Sequence, residues 1–372
     1  MGIKNLAKVI KTHAPSALKQ HQMKYYSGYK VAVDASMCIY QFLVSVRAEG
    51  SNLAYGDETT SHLSGLFYRC IRWVQEGIIP IFVFDGEAPA AKVHELTKRD
   101  KRRENVQEKL KQAIKDNDAL SVTKYEKISV KMTKEHISDC MHLLELLCIP
   151  FITAPSEAEA YCAYLNKTNY VDAVATEDMD TLCFGANVLL RNFNASKSKN
   201  LAIDEYNLNA ALKELNLTME EFIDMCIMLG CDYSGTIKGI GPKKAVDFIF
   251  KYKNIDNMLK KEEIETGEDF KYEEARDIFL NLSGNEFNEN FVCENKSKEN
   301  ENKIKIFISR TNIENLKKIS FEPNNIDEQA VINYLVNEKG FDKQRIENGI
   351  KKLKGCKIEG KQTRIESFFT KK

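Results

Sequence analysis

The stretch VATEDMDTL (174–182) decides the fold. It closes the apolar run YVDAVAT and places three acids, Glu177, Asp178 and Asp180, directly after it. A short apolar run bounded by polar residues reads as a buried strand. Asp178 and Asp180, two apart, would point the same way from an extended chain. Like charges so placed repel and raise each other's pKa, so acids at the end of a buried strand need a reason.

Working outward, the pattern repeats. VAV (31–33) is a brief strand ending at Asp34, and IIPIFVF (78–84) is another, ending at Asp85-Gly86. IPFI (149–152) precedes APSEAEA, and NVLLRNF (187–193) is a further strand. Between them, Leu63, Leu66, Phe67, Cys70, Ile71 and Val74 recur at helical spacing, as do Ile137, Cys140, Met141, Leu144 and Leu147. Strands alternating with helices predict an α/β fold with a mostly parallel central sheet flanked by helices.

At 372 residues the chain holds one large domain or two smaller ones, and its 43% apolar content is ordinary for a globular protein. Lys plus Arg and Asp plus Glu are 54 each. The net charge is zero, so any charge argument toward nucleic acid or membrane has to be local. Ten cysteines are scattered without a CxxC pair, which predicts a reduced, intracellular protein without a zinc ribbon. No apolar run spans a bilayer and no secretory start is present, so no membrane partner is expected. MGIKNL opens like a myristoylation site but has Leu6 where Ser or Thr is needed. Two segments break the α/β pattern: the charge-rich residues 87–130, and the Asn/Glu/Lys-rich stretch 283–303, which reads as a loop.

Ligand sites of open parallel sheets lie beyond the carboxyl ends of the strands. Asp34, Asp85 and the Asp178/Asp180 pair therefore converge on one edge. PSEAEA adds Glu157 and Glu159, and LGCDY adds Asp232 after a helix predicted from about Glu221 to Leu229. Such a cluster cannot stay ionised together without a cation. Mg²⁺ suits a site of carboxylates and waters that also holds phosphate. Two ions about 4 Å apart would clamp the attacking and leaving oxygens of a phosphodiester.

Plainer readings compete. An Asp after a strand is often a turn residue or a helix N-cap. Ser156 and Glu159 fit a capping box, which would use the carboxylate a metal needs. DMDTL (178–182) is similar to the nucleophile motif of haloacid-dehalogenase-like phosphatases, with Asp178 as nucleophile. That family carries its motif on its first strand, and the reading leaves the other five acids unexplained.

With these residues assembled, the chain resembles the flap endonucleases, structure-specific 5′ nucleases of replication and repair. The resemblance runs from MGIKNLAKVI to about residue 282 and resumes at FEPN. VAVDASMCIYQFL, ETTSHLSGLFYR, VFDGEAP, APSEAEAYCA, ATEDMDTLCFG, LGCDYSGTIKGIGPKKA and the paired Phe368-Phe369 carry it. It implies a PIN-like 5′ nuclease core with a helical arch, a helix–two-turn–helix motif and a largely helical C-terminal part. It implies Asp34, Asp85, Glu157 and Glu159 as ligands of a first Mg²⁺ and Asp178, Asp180 and Asp232 of a second, with Mn²⁺ as a substitute. Arg47, Arg69 and Gly230 match DNA contacts, with Glu157 and Asp232 at the same surface. Tyr40 matches a ring that stacks on a base near the scissile phosphate, and Gly2 an amino-terminal residue lying near the DNA after processing. Glu87, Ala88-Pro89 and the short TKK ending depart from the family's usual pattern.

KGIGPKKA (238–245) resembles the hairpin of the helix–two-turn–helix motif, in which family members bind K⁺. Gly239 and Gly241 let backbone approach phosphate, Pro242 can open a helix, and its N-terminus with Lys243 and Lys244 favours anions. An ordinary Gly-Pro turn is the alternative. Lys92 and Arg99, seven apart, share one helical face, with Lys98, Arg102 and Arg103 adjoining. A charge run of this kind is ordinarily a solvated face. The family has its arch here, threaded by the 5′ single strand, where basic groups could neutralise charge developing on the scissile phosphate. Gln362, Ile365, Phe368 and Phe369 have the spacing of a sliding-clamp-binding motif, a short helical turn presenting an apolar plug.

The expected organisation is an N-terminal nuclease region (1–103), an arch linker (104–120), an internal nuclease region with the DNA-binding hairpin (121–252), a C-terminal helical region (253–360) and the clamp motif (361–369). The expected activity is cleavage of 5′ DNA flaps with 5′→3′ exonuclease action, giving 5′-phosphate ends. The resemblance implies a monomer acting on branched DNA, up to three per trimeric sliding clamp (proliferating cell nuclear antigen), in the nucleus, including nucleolus and nucleoplasm, and in the mitochondrion. A sibling nuclease of gapped, junction or bubble DNA, a phosphatase and a non-catalytic clamp adaptor are the alternatives.

Overall fold

The computed structural model describes residues 2–48, 54–55, 58–86, 92–195, 201–281 and 321–356. The Asn-rich stretch, Glu87, Ala88 and Pro89, and the clamp-motif residues Gln362, Ile365, Phe368 and Phe369 lie outside the described residues. The first half runs α1 (Leu6–His13), β1 (Leu18–His21), β2 (Lys30–Asp34), α2 (Ala35–Ala48), the short strands β3 (Ala54–Tyr55) and β4 (Glu58–Thr59), α3 (Ser61–Gln75), β5 (Ile79–Phe84), α4 (Val93–Lys115), α5 (Ala119–Ile128) and α6 (Lys134–Leu146). The second half runs β6 (Phe151–Thr153), α7 (Ala158–Lys167), β7 (Ala173–Ala175), α8 (Asp180–Cys183), β8 (Val188–Arg191), β9 (Ile203–Asn207), α9 (Leu208–Leu215), α10 (Met219–Leu229), α11 (Pro242–Tyr252), α12 (Ile255–Glu262), α13 (Tyr272–Asn281), α14 (Glu328–Ile332) and α15 (Lys343–Lys354).

Seven strands form one sheet in the order β1-β9-β8-β7-β2-β5-β6. The run from β8 to β6 is parallel, as the alternation predicts. β9 is antiparallel to β8, and β1 to β9. Every residue of β5 and β7 is buried, as strands covered on both faces require. Alternation sorts their side chains into two cores. Ala32, Ile81, Val83 and Val174 face the core shared with α7, α10, α11 and α13. Val31, Val33, Phe82, Phe84, Ala173 and Ala175 face the core shared with α2, α3 and α6. The result is a sheet between two helical layers.

The spaced apolar residues of α3 are buried as their periodicity predicts. Part of that surface faces the C-terminal helices: a Cβ on Gly349 of α15 would stand 2.5 Å from Phe67 Cε1, so only glycine fits this crossing. A polar cluster ties the same layers together. Asp139 on α6 accepts hydrogen bonds from Tyr334 at 3.0 Å and Lys339 at 2.8 Å, with His62 Nε2 at 3.3 Å. The charge-rich segment forms α4 and α5, which pack on each other. The division expected between residues 103 and 104 falls inside α4, a single helix.

Candidate active site

Three parallel strands deliver acids to one edge. β2 ends in Asp34, Asp85 follows β5, and Asp178 and Asp180 follow β7. Glu157 and Glu159 stand at the start of α7, and Asp232 lies beyond α10. α10 starts at a capping box between Thr218 and Glu221 and ends at Gly230, whose φ of +106° lies where glycine is favoured. Lys4 N–H donates to the Gly230 carbonyl at 3.1 Å, tying the N-terminal segment to this turn.

The expectation that Asp178 and Asp180 project from an extended chain is corrected. β7 ends at Ala175, Thr176 Oγ1 accepts the Asp178 N–H at 3.1 Å, and Asp180 is already the first residue of α8. A turn, with Asp178 Oδ1 accepting the Asp180 N–H at 3.1 Å, brings the pair together. The alternative of a capping box between Ser156 and Glu159 is not what forms. Glu157 is the cap position of α7 and makes no capping bond with its side chain. Asp85 Oδ1, just beyond β5, accepts the Ala158 N–H at 2.9 Å instead.

Several acids do have structural partners. Asp34 Oδ1 caps α2 by accepting the Met37 N–H at 3.0 Å, and its Oδ2 accepts from Thr176 at 3.1 Å. Ser36 donates to Asp85. Asp180 is different: it is fully buried, and among the described residues neither carboxylate oxygen has a hydrogen-bond partner.

Neighbouring acids act on Asp34, Glu159, Asp178 and Asp180. Burial, then the charge of Asp85, pushes the Asp34 carboxyl up to about 7. Burial, then Asp178, pushes both Glu159 and Asp180 well above the usual carboxylate range, with Glu157 adding to the first and Asp232 to the second. Burial raises Asp178 too, against the hydrogen bond from the Asp180 N–H. Isolated buried charges of this kind require partners.

Cations stand among them. Lys92, at the start of α4, donates to Glu157 and, at 3.1 Å, to Glu159 Oε1. Burial works against its ammonium group, but Glu159 and Glu157 outweigh it and raise its pKa. Arg99, two turns on, donates to Asp232. Tyr233 donates to Glu157. Tyr233, within LGCDY, carries no role that the sequence alone makes visible. Its signal was a phenol next to an acid, which only the fold can distinguish from a core tyrosine.

The other expected residues lie on several elements. A Cβ on Gly2 would meet the Asp178 and Asp180 carboxylates. Tyr40 is half-buried on α2, and Arg47 lies on the last turn of the same helix. Arg69 lies 5.8 Å over the Phe42 ring and donates to the Ala195 carbonyl at 3.2 Å, which Arg72 shares at 2.6 Å. Gly239, with φ of +83°, and Gly241 have open space where a Cβ would stand. Pro242 is the first residue of α11, and Lys243 and Lys244 are exposed on it.

Residues 1–106 match the XPG N-terminal domain and residues 148–232 the XPG I-region. Flap endonuclease 1 of Enterocytozoon bieneusi is 55% identical over 372 residues, covering 100% of both chains. The chain belongs to the flap endonuclease family. Flap endonuclease 1 of Encephalitozoon cuniculi is 43% identical across 100% of this chain and 99% of its own. The solved flap endonuclease-1 from Methanococcus jannaschii superposes with a TM-score of 0.63 at 30% identity, over 91% of this chain and 96% of that one. The catalytic core of Rad2 in complex with DNA substrate superposes at 0.65 over 95% of this chain and 100% of that one, and at 23% identity it bears on the fold alone. Membership displaces the phosphatase reading of DMDTL.

Flap endonucleases are metal-dependent nucleases, and the residues present fit that requirement. The donors are oxygens, the choice of hard divalent cations. Among the described residues no three Asp, Glu, His or Cys side chains form a ready-made ligand set; Lys92 and Arg99 stand among the acids instead. Asp180 is buried, and among the described residues neither of its oxygens has a hydrogen-bond partner.

Proposed function

We propose that this flap endonuclease hydrolyses DNA phosphodiester bonds as a structure-specific 5′ flap endonuclease with 5′→3′ exonuclease activity, leaving 5′-phosphate ends. Its roles are Okazaki fragment maturation and long-patch base excision repair. The observation that carries the chemistry is the fully buried, unpartnered Asp180 among six further acids. Full-length similarity to flap endonuclease 1 carries the substrate class.

Asp34, Asp85, Glu157 and Glu159 would hold one Mg²⁺ and Asp178, Asp180 and Asp232 another, with Mn²⁺ as a substitute. When bound, the ions activate water and stabilise the leaving oxygen. The chain does the rest. Lys92 and Arg99 exchange their carboxylates for the scissile phosphate and neutralise its charge. Tyr40 stacks on the adjoining base. Gly2, Arg47, Arg69 and Gly230 line the DNA path. Gly239, Gly241, Lys243 and Lys244 hold duplex through backbone phosphates and a K⁺ ion, independently of sequence. Gln362, Ile365, Phe368 and Phe369 dock on the sliding clamp, in the nucleus and the mitochondrion.

A labelled double-flap DNA, incubated with Mg²⁺ and separately with chelator, tests the reading. One product cut at the junction and dependent on Mg²⁺ is expected. Progressive trimming alone, or cutting in chelator, would overturn it.

A further inference from the structure

Tyr233 is buried, its ring edge-on to Phe279 at 5.2 Å and to Phe184 at 6.3 Å. Those contacts, from α13 and the end of α8, fix the ring before any ligand arrives. Its hydroxyl donates to Oε2 of Glu157. Lys92 takes the other oxygen, Oε1, and its ammonium group lies 5.6 Å from the centroid of the Tyr233 ring. The two donors divide one carboxylate between them.

They are not equivalent. Lys92 is a charge on a flexible stem, able to swing between carboxylates and phosphate. Tyr233 is neutral and held by its ring. If Lys92 alone held Glu157, its departure would free the carboxylate to change rotamer while the remaining acids repel it. With Tyr233 on Oε2, departure of Lys92 uncovers Oε1 and leaves the rotamer fixed. A group that hydrogen-bonds a ligating carboxylate orients it for the ion.

We propose that Tyr233 is a positioning residue that holds Glu157 by Oε2, so that Oε1 is presented to a divalent cation when Lys92 leaves it. This rests on the metal site proposed above. The ring serves a second purpose: it is a cation–π shelf from which Lys92 departs and to which it returns.

Calorimetric titration of the full chain with Ca²⁺ tests this without cleavage. Tyr233→Phe keeps the ring and loses the donor, and it should bind Ca²⁺ about tenfold more weakly than the parent. In a Glu157→Gln background the same change should cause no further loss, because the two residues act as one unit. The Mg²⁺ concentration for half-maximal cleavage should rise by the same factor, while kcat at saturating Mg²⁺ stays within about twofold. Parent Ca²⁺ affinity in Tyr233→Phe, or an equal loss in both backgrounds, would overturn the role of Tyr233 and leave the metal site standing. A parent chain that binds no Ca²⁺ would overturn both.

Discussion

Gly2 approaches Asp178 so closely that a Cβ on it would stand 1.7 Å from Oδ1 of that carboxylate and 2.5 Å from Oδ1 of Asp180. Its φ of +74° lies in the left-handed region that side chains disfavour. Gly2→Ala therefore has to move the backbone or both acids. Single-turnover cleavage should slow by about tenfold or more, each decade corresponding to ~1.4 kcal/mol. The melting temperature should change little, since the strain relaxes by shifting the chain end. Parent-like cleavage by Gly2→Ala would show that this approach has no bearing on the chemistry.

Lys92 pairs with Glu157 and Glu159, and Arg99 with Asp232. Lys92→Ala should therefore lower the melting temperature in chelator, because removing one partner of a part-buried pair leaves the other uncompensated. Saturating Mg²⁺ should narrow that gap. Either Lys92→Ala or Arg99→Ala should slow single-turnover cleavage by about tenfold or more and change duplex affinity much less. Parent rates in both variants would reduce the run to a solvated helix face.

Much of this site was legible because strand ends are legible. Asp34 and Asp85 each follow an apolar run that could only be a buried parallel strand, and their convergence follows from the topology. β1 and β9 were not legible: LKQH at the sheet edge and IDEYN beside it have polar residues and no apolar run. The conformation at Asp178 and Asp180 was misread because spacing cannot separate an extended chain from a turn held by the Thr176 hydroxyl. The capping-box alternative at Ser156 and Glu159 fails for a related reason. A capping box is a local pattern, and Asp85, seventy-three residues away in sequence, took the Ala158 N–H instead. Tyr233 was missed because its meaning depends on which carboxylate lies across from it.

Asp139 gives a pH-dependent test of the C-terminal docking. Burial pushes its carboxyl up, but hydrogen bonds from His62, Lys339 and Tyr334 outweigh burial and hold it below its ordinary value of 3.8. A depressed folded pKa contributes stability above the unfolded value and loses it as pH falls through the folded one. The parent should exceed Asp139→Asn in stability by a constant margin above about pH 5, and the margin should shrink below about pH 4. Urea unfolding across pH 3–7 measures it. A margin independent of pH would show that Asp139 acts through packing alone.

The clamp motif rests on the spacing of Gln362, Ile365, Phe368 and Phe369. Replacing Phe368 and Phe369 together by Ala should abolish stimulation by the sliding clamp and leave clamp-free cleavage intact. Calorimetry finding unchanged clamp affinity in that variant would place the anchor elsewhere.

Asp180 carries the sharpest test, because two effects on one residue have opposite signs. Its carboxylate is buried without a hydrogen bond, and burial and the charge of Asp178 hold its pKa well up. In chelator this side chain costs the folded state energy, so Asp180→Ala should melt higher than the parent. With Mg²⁺ the order should reverse. Binding to the native state stabilises the parent, by ~2.7 kcal/mol when the ion is at a hundred times its Kd. The variant lacks a ligand and gains less. Asp180→Ala should still bind flap DNA, since the duplex contacts proposed above lie on the hairpin and on α2 and α3. It should cut that DNA slower by several orders of magnitude. Melting curves in chelator and in rising Mg²⁺, on both proteins, read the crossover directly. A variant that cleaves at the parent rate would remove Asp180 from the metal site, and a variant that melts lower than the parent in chelator would show that some protein group already balances it.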